Sequence, residues 1–150
     1  MKQGPERELA ARYLDRAVAS GKPLGLSGFS VTELTESRAG SAASRKAEEA
    51  KTLAAQLPAS GIVVALDERG KSTGSEDFAR RIVRWRDEGK QAVSFVIGGP
   101  DGLDPTFVAT ADLALSFSPL TWPHQLVRIM LAEQLYRTTT ILSGHPYHRE

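Results

Sequence analysis

Three short runs of β-branched and apolar residues set the frame for this chain: residues 62–66 (IVVAL), 93–97 (VSFVI) and 113–117 (LALSF). The first is apolar at every position and the other two carry a single serine each, a pattern that suits strands covered on both faces, as strands of a parallel sheet are. Helical patterns separate the runs. Ser75 can cap a helix whose first turn carries Glu76 and Asp77, both favourable at the positive end of the helix dipole, and Phe78, Ile82 and Trp85 continue it towards Gly89. Asp104-Pro105 opens a shorter helix reaching about Ala111. Strands that alternate with helices in this way define an α/β fold with a largely parallel sheet.

The flanks add further elements. Pro5 suits a first helical turn, and Leu9, Tyr13, Leu14, Ala17 and Val18 follow at helical spacing until Gly21. Residues 22–28 read as a loop, and 29–34 alternates well enough to be expected as a strand. Residues 41–57, rich in Ala, Glu, Lys and Arg, predict a surface helix ending at Pro58. After a second loop at 118–123, an apolar helix runs to Leu142 and leads into the tail GHPYHRE. With 150 residues and no repeat or linker, one domain spanning 1–150 is expected.

Composition excludes several classes. With no cysteine there is no disulfide framework, no Cys zinc site and no thiol catalysis. No apolar run approaches a bilayer span and charges are spread through residues 1–20, so the cytoplasm is the expected location, without membrane partner or leader. The net charge of +1 is small for a protein that grips nucleic acid by bulk electrostatics. An RNA partner would have to be held by a local patch or by shape.

Ligands of open α/β sheets bind where strands end at their carboxyl edges. Three such edges stand out: Leu66-Asp67, the glycine-rich turn 98–102 (GGPDG), and 118–123 (SPLTWP). The glycines allow close approach of a ligand to the backbone, or they merely turn the chain. No GxGxxG or GxxxxGK[ST] phosphate loop is present, which argues against a dinucleotide site and a P-loop nucleotidase. In the third edge two prolines stiffen a loop whose Leu120 and Trp122 either tuck into the core or clasp a flat heterocycle. The last helix is apolar on more than one stripe, which suits a core helix or a subunit contact. Arg80, Arg81, Arg84, Arg86 and Lys90 make the helix near 76–88 basic, as a solvated face or as a contact for an RNA backbone. The two histidines of the tail offer only a weak metal site, because other ligands nearby are few and no HExxH helix is present. Taken by itself it reads as a frayed end, although Tyr and His can stack on an unpaired base and Arg can bind phosphate or a carbonyl.

The order GGPDGL, then LSFSPLTWPHQLVRIMLAEQLYR, then a terminal HPYHRE resembles the RlmH family of SPOUT methyltransferases. The likeness runs over nearly the whole chain and is strongest from Ile62 onward. It implies an α/β sheet with a C-terminal trefoil knot and a homodimer with a composite active site. It implies S-adenosyl-L-methionine as cofactor, contacted by Leu66, Gly98, Phe117, Ser118, Pro119, Leu120, Thr121 and Trp122. The implied reaction is methylation at N3 of a pseudouridine in a hairpin loop of 23S ribosomal RNA, on the ribosome. His148, Arg149 and Glu150 would reach into the partner subunit's pocket as catalytic residues. Methyl transfer from a sulfonium needs chiefly alignment, together with loss of the N3 proton. His148 or Glu150 is expected to accept that proton while Arg149 steadies charge on the carbonyl oxygens.

One departure stands out. The family ordinarily opens with a strand before its first helix, whereas this sequence begins MKQGPERELA, as a start codon assigned too far downstream would leave it. Loss of that strand would bare a neighbouring hydrogen-bonding edge and lower solubility. Two other readings compete: a non-catalytic ribosome-binding module of the same fold, discriminated by whether it binds S-adenosylmethionine, and a small-molecule enzyme using the 98–102 turn for phosphate. The second lacks a phosphate loop, a GxSxG elbow and a lysine near the turn.

Overall fold

Val64 and Ala65 lie fully buried in the central strand of the computed structural model, which describes residues 3–149. That strand, β1 (Ile62–Ser72), is flanked by β2 (Val93–Ile97) and β3 (Leu113–Ser116), both parallel to it, in the order β2-β1-β3. The described residues also form five α-helices: α1 (Pro5–Gly21), α2 (Ala42–Gln56), α3 (Ser75–Asp87), α4 (Pro105–Thr110) and α5 (His124–Ser143). A 3-10 turn at Lys22–Leu24 follows α1.

The chain divides into two compact units. The sheet, α2 and α4 belong to the unit formed by Thr32–Thr73 and Lys90–His124. Its core joins Ala65 of β1 and Val96 of β2 to Leu103 and Phe107, with Ala50 and Leu53 of α2 and Val108 of α4 packed against them. Burying an apolar side chain of this size contributes about 1.5–3 kcal/mol, so the apolar runs specify the layer. Local signals fix its helix starts: Ser41 Oγ accepts from Ser44 N–H at α2, and Asp104 accepts from Phe107 N–H at α4.

The other unit comprises the residues up to Val31, Gly74–Gly89, and the chain from Gln125 onward, so it holds α1, α3 and α5. Ala10 and Ala17 of α1, Phe78, Ala79, Ile82 and Trp85 of α3, and Leu131 and Ala132 of α5 are buried. Polar ties fasten these helices. Ser20 and Thr139 hydroxyls lie 2.6 Å apart, Ser75 Oγ donates to Gln134 at 2.9 Å, and Arg86 donates to the Leu24 carbonyl at 2.7 Å.

Two expectations need correction. Residues 29–34 form no strand, and no partner strand lies beside them among the described residues. Alternation alone cannot make a strand; the backbone needs an edge to pair with, and Val31, for one, is 50% exposed. Conversely, β1 runs past Leu66. Residues 67–70 bulge outward, and Lys71 and Ser72 return to pair with Leu115 and Ser116 of β3.

Candidate functional site at the carboxyl ends of the strands

Leu66 is in register with Ile97 on one side and Leu115 on the other. Because the strands are parallel, all three deliver their carboxyl ends, and the chain that follows, to one edge of the sheet. The three segments singled out from sequence therefore leave the sheet at the same edge: the chain after Leu66, the turn at Gly98, and the loop from Phe117 to Trp122.

Each segment is held by its own chemistry. After Leu66, Asp67 turns the bulge by accepting the Arg69 N–H at 2.8 Å. Gly70 then passes against β3, where a Cβ would stand 2.6 Å from the Ala114 carbonyl oxygen. Gly98 is equally confined, since a Cβ there would meet the Gly102 carbonyl carbon at 2.7 Å. The turn closes through Gly102 N–H to the Gly99 carbonyl at 2.9 Å, with Gly102 at φ 84°, a left-handed conformation that favours glycine. Arg45 on α2 anchors it with two hydrogen bonds to the Asp101 carboxylate, 2.7 and 3.1 Å. The guanidinium hydrogen bond holds the Asp101 carboxyl below its ordinary range.

The loop after β3 is stitched to itself and to the bulge. Ser116 Oγ lies 2.9 Å from the Ser118 carbonyl and 3.1 Å from the Glu68 carbonyl, and it accepts the Ser118 N–H. Ser118 Oγ takes the Leu120 N–H at 2.9 Å, and Thr121 donates to the Glu68 carboxylate at 2.8 Å. Phe117 and Ser118 are half-buried and Pro119 and Thr121 exposed. Leu120 is 65% and Trp122 40% exposed, so of the two readings of these side chains the core-filling one is set aside. A rigid loop thus presents apolar side chains beside exposed backbone.

The tail, in the other unit, is docked rather than frayed. Gly144 at φ 74° ends α5, and the His145 N–H returns to the Thr140 carbonyl at 2.9 Å. His145 Nδ1 accepts the Tyr147 N–H at 3.1 Å. The Tyr147 ring lies 4.8 Å from that of Tyr136 and 4.8 Å from the Arg137 guanidinium. Its hydroxyl donates to Glu133 at 3.1 Å, and the same carboxylate oxygen accepts from Arg137 at 2.6 Å. Burial first, then the hydrogen bond to Glu133, pushes the Tyr147 phenol up to about 12. Arg137 also lies 3.1 Å from His148 Nδ1, and His148 Nε2 is 3.6 Å from Glu76. His148 lines a cavity of about 390 Å³ with Gly74, Ser75, Glu76, Asp77 and Arg80. Arg149 is exposed, and Glu150 lies outside the described residues.

Sequence reasoning missed Arg45, Glu68, Glu76, Glu133 and Arg137. Only the Glu133–Arg137 pair, four residues apart on a helix, carried a local signal. The arginines of α3 are not one free patch either, since Arg80 pairs with Asp77 and Arg86 with Asp87. Among the described residues no group of three or more His, Asp or Glu could hold a metal ion, and no helix is long and apolar enough to cross a membrane.

A parallel α/β sheet offers a ligand the loops at the carboxyl ends of its strands. A family described as "Predicted SPOUT methyltransferase" matches residues 1–148. Proteins named "Ribosomal RNA large subunit methyltransferase H" align over 149 residues. Those of Bradyrhizobium diazoefficiens and Brucella anthropi are each 56% identical over 99% of this chain and 93% of theirs. That of Mesorhizobium japonicum is 55% identical with the same coverage. The chain belongs to the SPOUT methyltransferases, within the family of ribosomal RNA large subunit methyltransferase H.

Proposed function

We propose that this protein is a cytoplasmic methyltransferase of large-subunit ribosomal RNA that uses S-adenosyl-L-methionine to methylate N3 of a pseudouridine in a 23S hairpin loop, on the ribosome. The observation that carries the reading is the convergence of Leu66, Gly98 and the 117–122 loop at one sheet edge, in a chain 56% identical to proteins named for rRNA methylation.

The residues at that edge fit the cofactor. Leu120 and Trp122 offer exposed apolar surface for a flat adenine, and the backbone around Leu66, Gly98 and 117–122 offers amide and carbonyl groups for its polar edge. When bound, S-adenosylmethionine supplies a methyl group already activated on a sulfonium. The protein's task is then to align the acceptor nitrogen and clear its proton. Arg149 steadies charge on the pseudouridine carbonyl oxygens, and the N3 proton passes to a tail group, His148 or Glu150.

The reading includes a single SPOUT domain with a trefoil knot and a homodimer in which one tail completes the partner's pocket. Two things support the dimer: Leu126 of α5 is 40% exposed, and Val127, Ile129 and Met130 beside it are only half-buried, leaving an apolar stripe for a second copy.

Isothermal titration with S-adenosylmethionine, followed by methylation of isolated ribosomes, tests the proposal. Binding together with transfer that is lost in Arg149→Ala at unchanged oligomeric state is expected. Binding to ribosomes without cofactor binding would favour a non-catalytic module instead.

A further inference from the structure

Arginine has no lone pair to offer, so the 3.1 Å contact between Arg137 Nη1 and His148 Nδ1 has one sense only: Arg137 donates and Nδ1 accepts. A neutral imidazole has a single lone pair of this kind. With it committed to Arg137, the ring proton sits on Nε2, and that N–H points towards Glu76, whose carboxylate at 3.6 Å is too far for a full hydrogen bond. Glu133 fixes the guanidinium in turn by accepting from Arg137 Nε at 2.9 Å and Nη2 at 2.6 Å. The guanidinium also stacks on Tyr147, the residue before His148.

We propose that Arg137 is a positioning residue that makes His148 a hydrogen-bond donor through Nε2–H and withholds it from service as a base. The inference deepens the proposed function and rests on it only for what the donor acts upon. In the methyl transfer, Nε2–H joins Arg149 as a donor to a carbonyl oxygen of the pseudouridine. The N3 electron pair forms the new bond to the methyl carbon, the carbon–sulfur pair returns to sulfur, and the N3 proton leaves to the Glu150 carboxylate. The charged groups around the ring are consistent with this polarity. Glu76, Asp77 and Arg80 of α3 line a cavity together with His148, while Arg137 of α5, held by Glu133 and stacked on Tyr147, lies at Nδ1. Glu76 is the carboxylate nearest Nε2, and Arg137 occupies the opposite nitrogen.

The test has one arm that needs no activity. Nitrogen-15 NMR of the ¹⁵N-histidine-labelled full chain, near neutral pH and without RNA, is expected to show His148 with an unprotonated Nδ1 and a protonated Nε2. Arg137→Met is expected to mix the two tautomers, and Arg137→Lys to restore the single form. A protonated Nδ1 in the unsubstituted protein overturns the inference, whether or not the protein methylates RNA. The second arm reads turnover on ribosomes. His148→Gln, whose side-chain amide can donate but cannot act as a base, is expected to stay within about tenfold of the parent, while His148→Ala loses about a hundredfold. Arg137→Met should lower turnover in the parent and much less in the His148→Ala background. Equal loss in His148→Gln and His148→Ala would return His148 to the role of base. Absence of turnover in every form, with the NMR result intact, would count against the proposed reaction and leave the role of Arg137 standing.

Discussion

Thr121 donates its hydroxyl proton to the Glu68 carboxylate across 2.8 Å, and so ties the loop after β3 to the bulge that interrupts β1. Fifty-three residues apart in sequence, the two share the sheet edge where the cofactor is proposed to lie. The bond is exposed to solvent, so its contribution to global stability is small, but it fixes the loop that carries Leu120 and Trp122.

Thr121→Val should therefore weaken S-adenosylmethionine binding by about 1 kcal/mol, roughly fivefold in Kd, with little change in melting temperature. Calorimetric titration beside a thermal melt checks this. An unchanged Kd would remove the tie from the account of the cofactor site.

Gly98→Ala tests the turn itself. Its Cβ would stand 2.7 Å from the Gly102 carbonyl carbon and 2.9 Å from the Leu103 nitrogen, backbone atoms that cannot swing aside. The expected cost is about 2 kcal/mol, or a melting temperature lower by roughly 6 °C, accompanied by weaker cofactor binding. Gly74→Ala serves as the control, because no atom lies within 4 Å of a Cβ there.

Alkaline pH should undo the docking of the tail. Tyr147 titrates near 12 in the folded chain against 10 for the free phenol, so the folded state holds its proton more tightly than the unfolded state does. The stability this confers is fully present below pH 10 and is lost as pH rises through the interval to about 12. Phenolate absorbance should show one tyrosine titrating late, and Tyr147→Phe should remove that late step.

Much of this architecture was legible in the residues. The apolar runs of β1, β2 and β3 announced buried parallel strands, and Ser41 and Asp104 announced helix starts, because burial and capping act over a few neighbouring positions. Residues 29–34 misled because alternation says nothing about whether a partner edge exists. The bulge at 67–70 and the return of Lys71 and Ser72 to β3 left no periodic trace. Arg45–Asp101, Glu68–Thr121 and Arg137–His148 were hidden for a related reason: a polar side chain does not declare its partner when that partner is distant in sequence. The tail read as frayed from composition alone, and it is docked because Glu133 and Arg137 wait for it on α5.

The apolar stripe on α5 predicts a further outcome. Leu126→Arg places a charge on a surface that is 40% exposed in the single chain, so the monomer should remain folded. Sedimentation is expected to show a dimer for the parent and a monomer for the variant, with turnover lost because the composite pocket is broken. A parent that sediments as a monomer would contradict the shared site.

The edge at Leu66, Gly98 and Phe117–Trp122 is proposed to serve methylation of a ribosomal pseudouridine. The direct measurement is mass spectrometry of 23S ribosomal RNA from cells with and without this gene. One methyl group on one pseudouridine of a hairpin loop is expected, present with the gene and missing without it. Identical modification in both would contradict it.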